Sequence, residues 1–282
     1  MICGKGNIEV KDFGYYKSII QSTEEPYDRE KSGRTCCEAV SRLRTAVIKK
    51  YFAKNAGLDL DAIRLSTKST WEKAVELAVF VARNIPHDNQ KVGLRKRNAI
   101  TLWKYSKKVP TGFNCRWHAI LLSELLLAAG IKNCFVTCLP EDKSDCDCHV
   151  VNLVWLPETE RWAMIDSDMT EYVVDAEERP LSLREMRENL RDGREFFIRT
   201  LPGFEDAWVG TDDGQAFMKC YWAKNLYWFA KHTLYGYSLE SAFHITDAYI
   251  CLVPKGYHYD TTKFNGIEVT NDAGFWEMDE KR

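Results

Sequence analysis

The stretch GFNCRWHAILLSELLLAAGI, residues 112–131, indicates a buried helix at the centre of the fold. From Cys115 to Ala129 it consists mainly of Ala, Leu and Ile, which favour helix, and Gly130 is the residue type that commonly ends one. The segment is apolar on nearly all sides, so we expect protein to surround it. Cys115 stands in its first turn, where unpaired backbone N–H groups and the positive end of the helix dipole favour a thiolate.

Three apolar segments after this helix predict an antiparallel sheet. They cover residues 133–139, 148–156 and 161–166, and the turn Pro157-Glu-Thr-Glu160 joins the last two as a hairpin. Strands that follow one another through short turns, next to helices, are typical of an α+β fold. The sequence therefore predicts a central helix packed on an antiparallel sheet.

A thiol, an imidazole and a carboxylate fall at the ends of these elements. Cys115 opens the helix, His149 opens the second strand 34 residues later, and Asp166 ends the third strand after a further 17 residues. An antiparallel pair can bring the last two side chains together. An imidazole takes and returns protons near neutral pH, and a carboxylate can orient it. The order predicts a Cys-His-Asp site for acyl transfer.

The remaining elements are predicted from helical spacing, capping residues and turns. Four helices are predicted, over Cys36–Asn55, from a Ser69 or Thr70 cap to Pro86, from Ser182 to Leu190, and over Gln215–Tyr235. In the first of them, Val40, Leu43, Val47 and Tyr51 lie on one apolar face. Ala99–Trp103 is predicted as a short helix or an extended segment, and Asp247–Val253 as a strand. We expect a mainly helical extension over residues 1–64, the core over 65–178, and an aromatic-rich extension over 179–282 packed on the core as one compact domain.

Composition excludes several classes of function. The chain has 282 residues, a net charge of −2 and 45% hydrophobic residues, which is typical of a globular protein and gives no basic footprint for nucleic acid. The run Arg95-Lys96-Arg97 is interpreted as a solvated face. No apolar run is long enough for a membrane span, and Met1-Ile-Cys3-Gly4 lacks the apolar run of a secretory leader. Ten cysteines without a leader predict reduced thiols and a cytoplasmic location; the oligomeric state is not indicated.

Four short motifs lie between Gly112 and Asp166. They are Gly112-Phe-Asn-Cys115-Arg-Trp117, Ala129-Gly130-Ile131, His149-Val-Val-Asn-Leu-Val154 and Trp162-Ala-Met-Ile-Asp166. Together they resemble the core of the transglutaminase-like superfamily, in its bacterial type of unknown substrate. The resemblance implies a papain-like fold with Cys115 as the nucleophile, His149 as the base and acid, and Asp166 as the orienting carboxylate.

Two positions depart from the family pattern. His149-Val150-Val151 stands where the family often has His-Ala-Trp, which removes an aromatic side chain beside the site. Arg116 separates Cys115 from Trp117, whereas Trp follows the Cys directly in the animal cross-linking enzymes. The resemblance therefore implies the three reactive residues more strongly than it implies one reaction.

The expected chemistry is cysteine-dependent acyl transfer on the amide bonds of a peptide or protein. The Cys115 thiolate attacks the carbonyl to form a thioester, and His149 protonates the leaving amine. Water as the acceptor gives a peptidase or amidase, which we expect ahead of transglutaminase-like transfer to an amine. The Cys115 backbone N–H and either Trp103 or Asn114 are candidate oxyanion donors. We expect no cofactor and no metal.

Other residues could fill two of these roles. His118, one turn after Cys115, is an alternative base, although a histidine on the same helix is more often a packing residue. Asp168 is an alternative orienting carboxylate, because two residues along a strand would place it on the same face as Asp166.

Two further interpretations keep part of this pattern. Cys146, Cys148 and His149, with Cys134 and Cys138 nearby, could form a zinc site, although zinc ligands usually come in pairs two to four residues apart. Alternatively, a catalytically inactive member could bind peptide or protein through the same groove.

Overall fold

A computed structural model of the chain describes residues 12–23, 34–89, 94–109, 111–241, 248–258 and 267–279. The helices in these ranges are α1 (Phe13–Gln21), α2 (Arg42–Ala56), α3 (Leu60–Leu65), α4 (Thr70–Asn84), α5 (Ala99–Ser106), α6 (Cys115–Ala128), α7 (Leu183–Asp192), α8 (Asp212–Asn225) and α9 (Asp272–Trp276). The strands are β1 (Cys36–Ala39), β2 (Lys96–Arg97), β3 (Asn133–Leu139), β4 (His149–Leu156), β5 (Arg161–Asp166), β6 (Glu171–Val174), β7 (Phe197–Thr200), β8 (Trp228–His232), β9 (Leu234–Gly236), β10 (Glu240–Ser241), β11 (Tyr249–Leu252), β12 (Ile267–Val269) and β13 (Met278–Asp279). The α+β fold class is confirmed.

Helix α6 is the predicted central helix. Its cap is Asn114, whose side chain accepts a hydrogen bond from the Trp117 backbone N–H at 3.1 Å. Every residue from Trp117 to Ala128 is buried. Gly130 ends the helix with a φ of 81°, the left-handed conformation that favours glycine. The predicted extent and burial of this helix are confirmed.

An eight-stranded sheet packs against α6, in the order β12-β11-β8-β3-β4-β5-β6-β7. Neighbouring strands are antiparallel except β11 and β12, which are parallel. The three predicted strands are β3, β4 and β5, and the hairpin between the last two is confirmed. Every residue of β3 is buried, and so is every residue of β4 except Trp155. The centre of the sheet is therefore covered on both faces.

Helices α2, α4 and α5 pack around α6. Helix α4 begins at the predicted cap, where Ser69 and Glu72 bond to each other's backbone N–H in a capping box. Helix α5 shows that Ala99–Trp103 takes the helical alternative, and α7 begins at the predicted cap Ser182. These caps explain why the helix starts could be read from local sequence.

The residues before α6, Gly112 and Phe113, pack against the segment that follows α4. The Phe113 N–H donates to the Pro86 carbonyl at 2.9 Å, and the Asp88 N–H donates to the Phe113 carbonyl at 2.7 Å. A β-carbon at Gly112 would lie 2.1 Å from the Pro86 carbonyl oxygen, so a side chain at residue 112 does not fit. This close contact holds His87 beside the start of α6.

The helix predicted over Cys36–Asn55 is wrong at its start, and its apolar face is only partly covered. Strand β1 occupies the first four of these residues and pairs in parallel with β9 and β13. In α2, Leu43 and Val47 are 77% and 43% exposed, whereas Ile48 and Phe52 are buried. The packing of α2 on α6, which local spacing does not reveal, decides which face is covered.

The helix predicted over Gln215–Tyr235 is too long. Helix α8 ends at Asn225, and the chain then forms β8, which pairs with β3 on one side and β11 on the other. Aromatic residues such as Trp228 and Phe229 favour strands, and the long-range pairing with β3 overrides the helical spacing. The predicted strand near the C-terminus is β11; Asp247 lies outside the described residues.

Other sequence predictions fall wholly or partly outside the described residues. The interpretation of Met1–Gly4 is one, whereas the run Arg95-Lys96-Arg97 lies within them. Lys96 and Arg97 of this run form β2, which pairs with β10, and Arg97 forms an ion pair with Glu240 at 3.1 Å. Among the helices described, none combines the length and apolar character that crossing a bilayer requires.

Candidate active site

Cys115, His149 and Asp166 meet at the junction of α6, β4 and β5. Cys115 is the first residue of α6 and is half-buried, with its sulfur 4.0 Å from the Cys148 carbonyl oxygen. His149 is the first residue of β4, and Asp166 is the last of β5. The His149 Nε2 lies 2.6 Å from the Asp166 Oδ2, and both side chains are buried.

The strand register explains how His149 reaches Asp166. Asn152 pairs with Ile165, so Asp166 falls opposite Val151, two residues along β4 from His149. Residues two apart on a strand share a face, which makes His149 and Asp166 diagonal neighbours on one face of the hairpin. Side chains of this length can span that diagonal, and the hydrogen bond follows.

Asp166 is held by its own turn as well as by His149. Its Oδ1 accepts hydrogen bonds from the backbone N–H groups of Asp168 and Met169 at 2.8 and 3.2 Å. Burial alone would raise the pKa of Asp166, but His149 and these N–H donors hold that pKa below its usual value. The carboxylate therefore stays ionised and fixed in orientation.

The pairing with Asp166 also orients the imidazole of His149. Because Nε2 faces the carboxylate, Nδ1 is the ring nitrogen available to the Cys115 sulfur. Burial alone would lower the pKa of His149, yet Asp166 and Cys115 outweigh burial and hold it well above its usual value. The arrangement stabilises an imidazolium next to a thiol, as a cysteine nucleophile requires.

Two aromatic side chains of α8 enclose His149. The rings of Tyr221 and Trp222 lie 5.3 Å from the imidazole, with interplanar angles of 72° and 70°. Both side chains are buried. The sequence predicts that aromatic residues of the C-terminal third pack on the core, but it does not predict which of them contact the site. The structure shows that Tyr221 and Trp222 do so.

Buried ion pairs connect the loop before His149 to α8. The Lys224 Nζ lies 3.0 Å from the Asp145 carboxylate and 2.8 Å from the Asp147 carboxylate. All three residues are buried, and the two carboxylates hold the pKa of Lys224 above its usual value despite burial. The loop that leads into β4 is therefore fixed to α8. Sequence reasoning missed this contact, because nothing local links residues 145 and 224.

Glu171 is a fully buried acid on β6, the strand next to Asp166. It lies opposite Asp166 in the β5–β6 register, and its Oε1 accepts a hydrogen bond from the Trp222 indole at 2.7 Å. Burial, with a smaller contribution from Asp166, raises the pKa of Glu171 to about 8. Glu171 is therefore mostly protonated at neutral pH and holds the indole that packs on His149.

The alternative residues His118 and Asp168 lie beside the site but form a different pair. Asp168 is in the turn after β5 and not on the strand, so the premise that it shares a face with Asp166 is wrong. Its Oδ1 and Oδ2 lie 2.9 and 3.0 Å from the His87 Nδ1, and Oδ1 lies 3.4 Å from the His118 Nε2. Burial lowers the pKa of His118, whereas the hydrogen bond to Asp168 raises that of His87.

The two candidate oxyanion donors lie in different surroundings. The Asn114 oxygen caps α6, directly before Cys115. The Trp103 ring stacks on Phe80 and packs against Phe52, so its ring contacts are with α4 and α2. A role for either residue as a donor stays a prediction.

The possible metal ligands that meet are not those of the zinc site considered from sequence. Among the described residues, the Cys115 sulfur, a His149 ring nitrogen and an Asp168 carboxylate oxygen lie within 4.8 Å of one another. Cys146 is exposed and belongs to no such group there. Burial, followed by Cys115, raises the pKa of the Cys148 thiol to about 11, so this neighbouring thiol stays protonated.

Arg116, the residue inserted after Cys115, is held within the fold. Its guanidinium lies 2.5 Å from Glu240 and donates to the Thr137 hydroxyl at 3.0 Å. Glu240 holds the pKa of Arg116 above its usual value, although burial opposes this effect. This ion pair connects the first turn of α6 to the C-terminal third of the chain.

A known protein family matches the part of the chain that contains Cys115, His149 and Asp166. Residues 60–167 match the family model described as the transglutaminase-like superfamily. The chain contains a transglutaminase-like core. The transglutaminase-like core includes all of Cys115, His149 and Asp166, whereas Asp168, Glu171 and the residues of α8 follow it. The resemblance recognised in the sequence is confirmed.

One solved structure is similar to part of the chain. It is a candidate cysteine protease from Cytophaga hutchinsonii, with 15% identity and a TM-score of 0.32. The match covers 45% of this chain and 39% of that protein, so it spans well under half of the length of either chain. No curated protein matches the chain.

Proposed function

We propose that this protein is a cysteine-dependent acyl-transfer enzyme that acts on amide bonds of peptides or proteins. The observation that carries the proposal is the 2.6 Å contact between His149 and Asp166, with Cys115 at the adjacent helix start. A buried carboxylate that fixes the tautomer and charge of an imidazole beside a thiol is what thioester chemistry requires.

Each group has one role in the proposed reaction. The Cys115 sulfur attacks the amide carbonyl, the C–N bond breaks, and a proton from His149 goes to the leaving amine. His149 then takes a proton from water or an amine, which attacks the thioester and releases Cys115. Asp166 keeps Nε2 occupied, so that Nδ1 handles both proton transfers. The Cys115 N–H at the helix start is the first oxyanion donor.

Alkylation by iodoacetamide tests whether Cys115 is activated. Mass spectrometry follows the modification of Cys115 and of Cys146, an exposed cysteine in the same molecule. We expect Cys115 to react roughly tenfold faster than Cys146, since thiolate character controls the rate. The His149→Ala substitution removes this advantage, and Asp166→Asn reduces it.

The matched control is His258→Ala, which removes an exposed imidazole and should leave the ratio of the two rates unchanged. If Cys115 reacts no faster than Cys146, and His149→Ala leaves its rate as it was, the enzyme proposal fails. The inactive peptide-binding alternative then takes its place.

Trapping the acyl-enzyme identifies the reaction. The protein is incubated with peptide amide and ester donors, and the adduct on Cys115 is read by mass spectrometry. Chase with water and with a primary amine separates peptidase or amidase activity from transglutaminase-like transfer, by whether the acid or the new amide is released. Absence of an adduct with every donor would count against acyl transfer.

A further inference from the structure

The reactive thiol lies among groups that zinc also uses as ligands. The Cys115 sulfur, a ring nitrogen of His149 and a carboxylate oxygen of Asp168 are within 4.8 Å of one another. Thiolate, imidazole and carboxylate are the three ligand types of protein zinc sites. Tetrahedral coordination with bonds of about 2.3 Å to sulfur and about 2.1 Å to nitrogen or oxygen sets neighbouring ligands about 3.3–3.6 Å apart. From separations of up to 4.8 Å, a contraction of at most about 1.5 Å reaches that geometry.

Neighbouring groups form hydrogen bonds with His149 and Asp168 of the kind that orient metal ligands. His149 bonds through Nε2 to Asp166 at 2.6 Å, so a cation would take the place of the proton on Nδ1, and that proton would be released to solvent. Asp168 is held by the His87 Nδ1 at 2.9 and 3.0 Å. A carboxylate behind a histidine ligand, and a hydrogen bond on a carboxylate ligand, orient zinc ligands in proteins. Asp166 would thus orient the ligand His149, whereas Asp168 would itself be a ligand.

Charge favours a cation at the same point. The carboxylates of Asp166 and Asp168 are buried within one turn, and the sulfur of Cys115 adds a third group that can be negative. A divalent ion interacts favourably with all three in a site sheltered from water. The half-buried Cys115 leaves an approach from solvent.

We propose that Cys115, His149 and Asp168 bind a thiophilic divalent cation such as Zn²⁺, with water in the fourth position, and that this cation reversibly blocks the site. The blocking effect rests on the proposed function; the binding itself does not. Coordination uses the sulfur and Nδ1 lone pairs that acyl transfer also needs, so the two states exclude each other. The ligand set differs from the Cys146, Cys148 and His149 site considered from sequence.

Titration of the metal-free full chain with Co²⁺ tests the binding. We expect one equivalent to produce a near-ultraviolet thiolate-to-cobalt band and the intense visible bands of tetrahedral cobalt, both abolished by added Zn²⁺. Cys115→Ser should remove the thiolate band, and Asp168→Asn should weaken binding strongly. Asp166→Asn should weaken it by about 10- to 100-fold, since it removes only the support of a ligand.

Matched controls are Cys146→Ser and Asp61→Asn, which make the same chemical changes at exposed positions and should leave the spectrum unchanged. A readout that needs no variant is protection: Zn²⁺ should slow iodoacetamide alkylation of Cys115 but leave that of Cys146 unchanged. Circular dichroism of each variant shows whether it folds.

The outcomes separate this inference from the proposed function. Rapid alkylation of Cys115 without a cobalt spectrum and without zinc protection overturns the cation site and leaves the enzyme proposal standing. An unchanged thiolate band in Cys115→Ser also overturns it, because the ligand is then another cysteine. A cobalt spectrum lost in Cys115→Ser, with Cys115 no more reactive than Cys146, supports the cation site and overturns the enzyme proposal.

Discussion

Replacing Glu171 by Gln should change how the stability of the protein depends on pH. Glu171 is fully buried in β6, opposite Asp166, and accepts a hydrogen bond from Trp222. Glutamine keeps the shape and offers an amide oxygen to the same indole, but it cannot ionise. The substitution therefore removes the ionisation of one buried acid while Trp222 stays packed on His149.

The size of the effect follows from the pKa. Burial raises the pKa of Glu171 from an ordinary value of 4.5 to about 8. A raised pKa means that the protonated acid contributes stability that is fully present below about pH 4.5 and is lost as the pH rises through about 8. At about 1.4 kcal/mol for each pKa unit, the total is about 5 kcal/mol, of which about 4 kcal/mol is lost between pH 5 and pH 8.

Urea unfolding of the wild-type protein and of Glu171→Gln at pH 5, 6, 7 and 8 measures this term. Other titrating groups contribute equally to both proteins and cancel in the difference of their unfolding free energies. We expect Glu171→Gln to gain about 4 kcal/mol relative to wild type across this range. The hydrogen-bonding cost of the amide does not depend on pH and shifts all four differences equally.

Parallel pH profiles for the two proteins would refute the reasoning, because Glu171 would then ionise as readily in the folded protein as in the unfolded chain. Glu195→Gln is the matched control: it makes the same change at an exposed residue after α7 and measures how far a surface glutamate alters the profile. Alkylation of Cys115 in Glu171→Gln at pH 6 should match wild type, because the contact between Trp222 and His149 is kept.

Three further substitutions test the packing around the site by urea unfolding. Gly112→Ala should destabilise the protein by about 1–3 kcal/mol, because the new methyl overlaps the Pro86 carbonyl; wild-type stability would contradict that close approach. Lys224→Met should cost about 3–5 kcal/mol by leaving Asp147 and its neighbouring carboxylate buried without a cation, and a neutral result would mean that the loop relaxes to solvent. Ser182→Ala should cost about 1 kcal/mol through loss of the α7 cap, and a change below a few tenths would show that the capping box is redundant.

The parts of the fold that the sequence predicts well are those fixed by local interactions. Helix α6 could be predicted because it is a run of Ala, Leu and Ile that ends at Gly130; its Asn114 cap was not predicted. The β4–β5 hairpin could be predicted because a short polar turn joins two apolar segments. Both elements carry reactive groups at their ends, and for this reason the meeting of Cys115, His149 and Asp166 could be anticipated without coordinates.

The residues that surround the three reactive groups could not be predicted in the same way. Glu171 is an acid at the start of a short apolar strand, and nothing in its neighbourhood indicates full burial. His87 contacts Asp168, which lies far from it in the sequence, from a segment that packs against Gly112. Trp222 belongs to α8, and local sequence does not indicate where α8 ends. That end is set by the pairing of β8 with β3, which joins residues about ninety positions apart. Long-range packing decides these contacts, and local patterns do not encode it.

The position of β8 has a consequence for expressing parts of this protein. A fragment limited to residues 60–167 would contain all three reactive groups, yet it would end before the strand that pairs with one side of β3. That side would become a bare apolar edge, open to pairing with other fragments and prone to aggregation. The fragment would also lack the two rings that enclose His149. The shortest piece worth purifying therefore extends past His232.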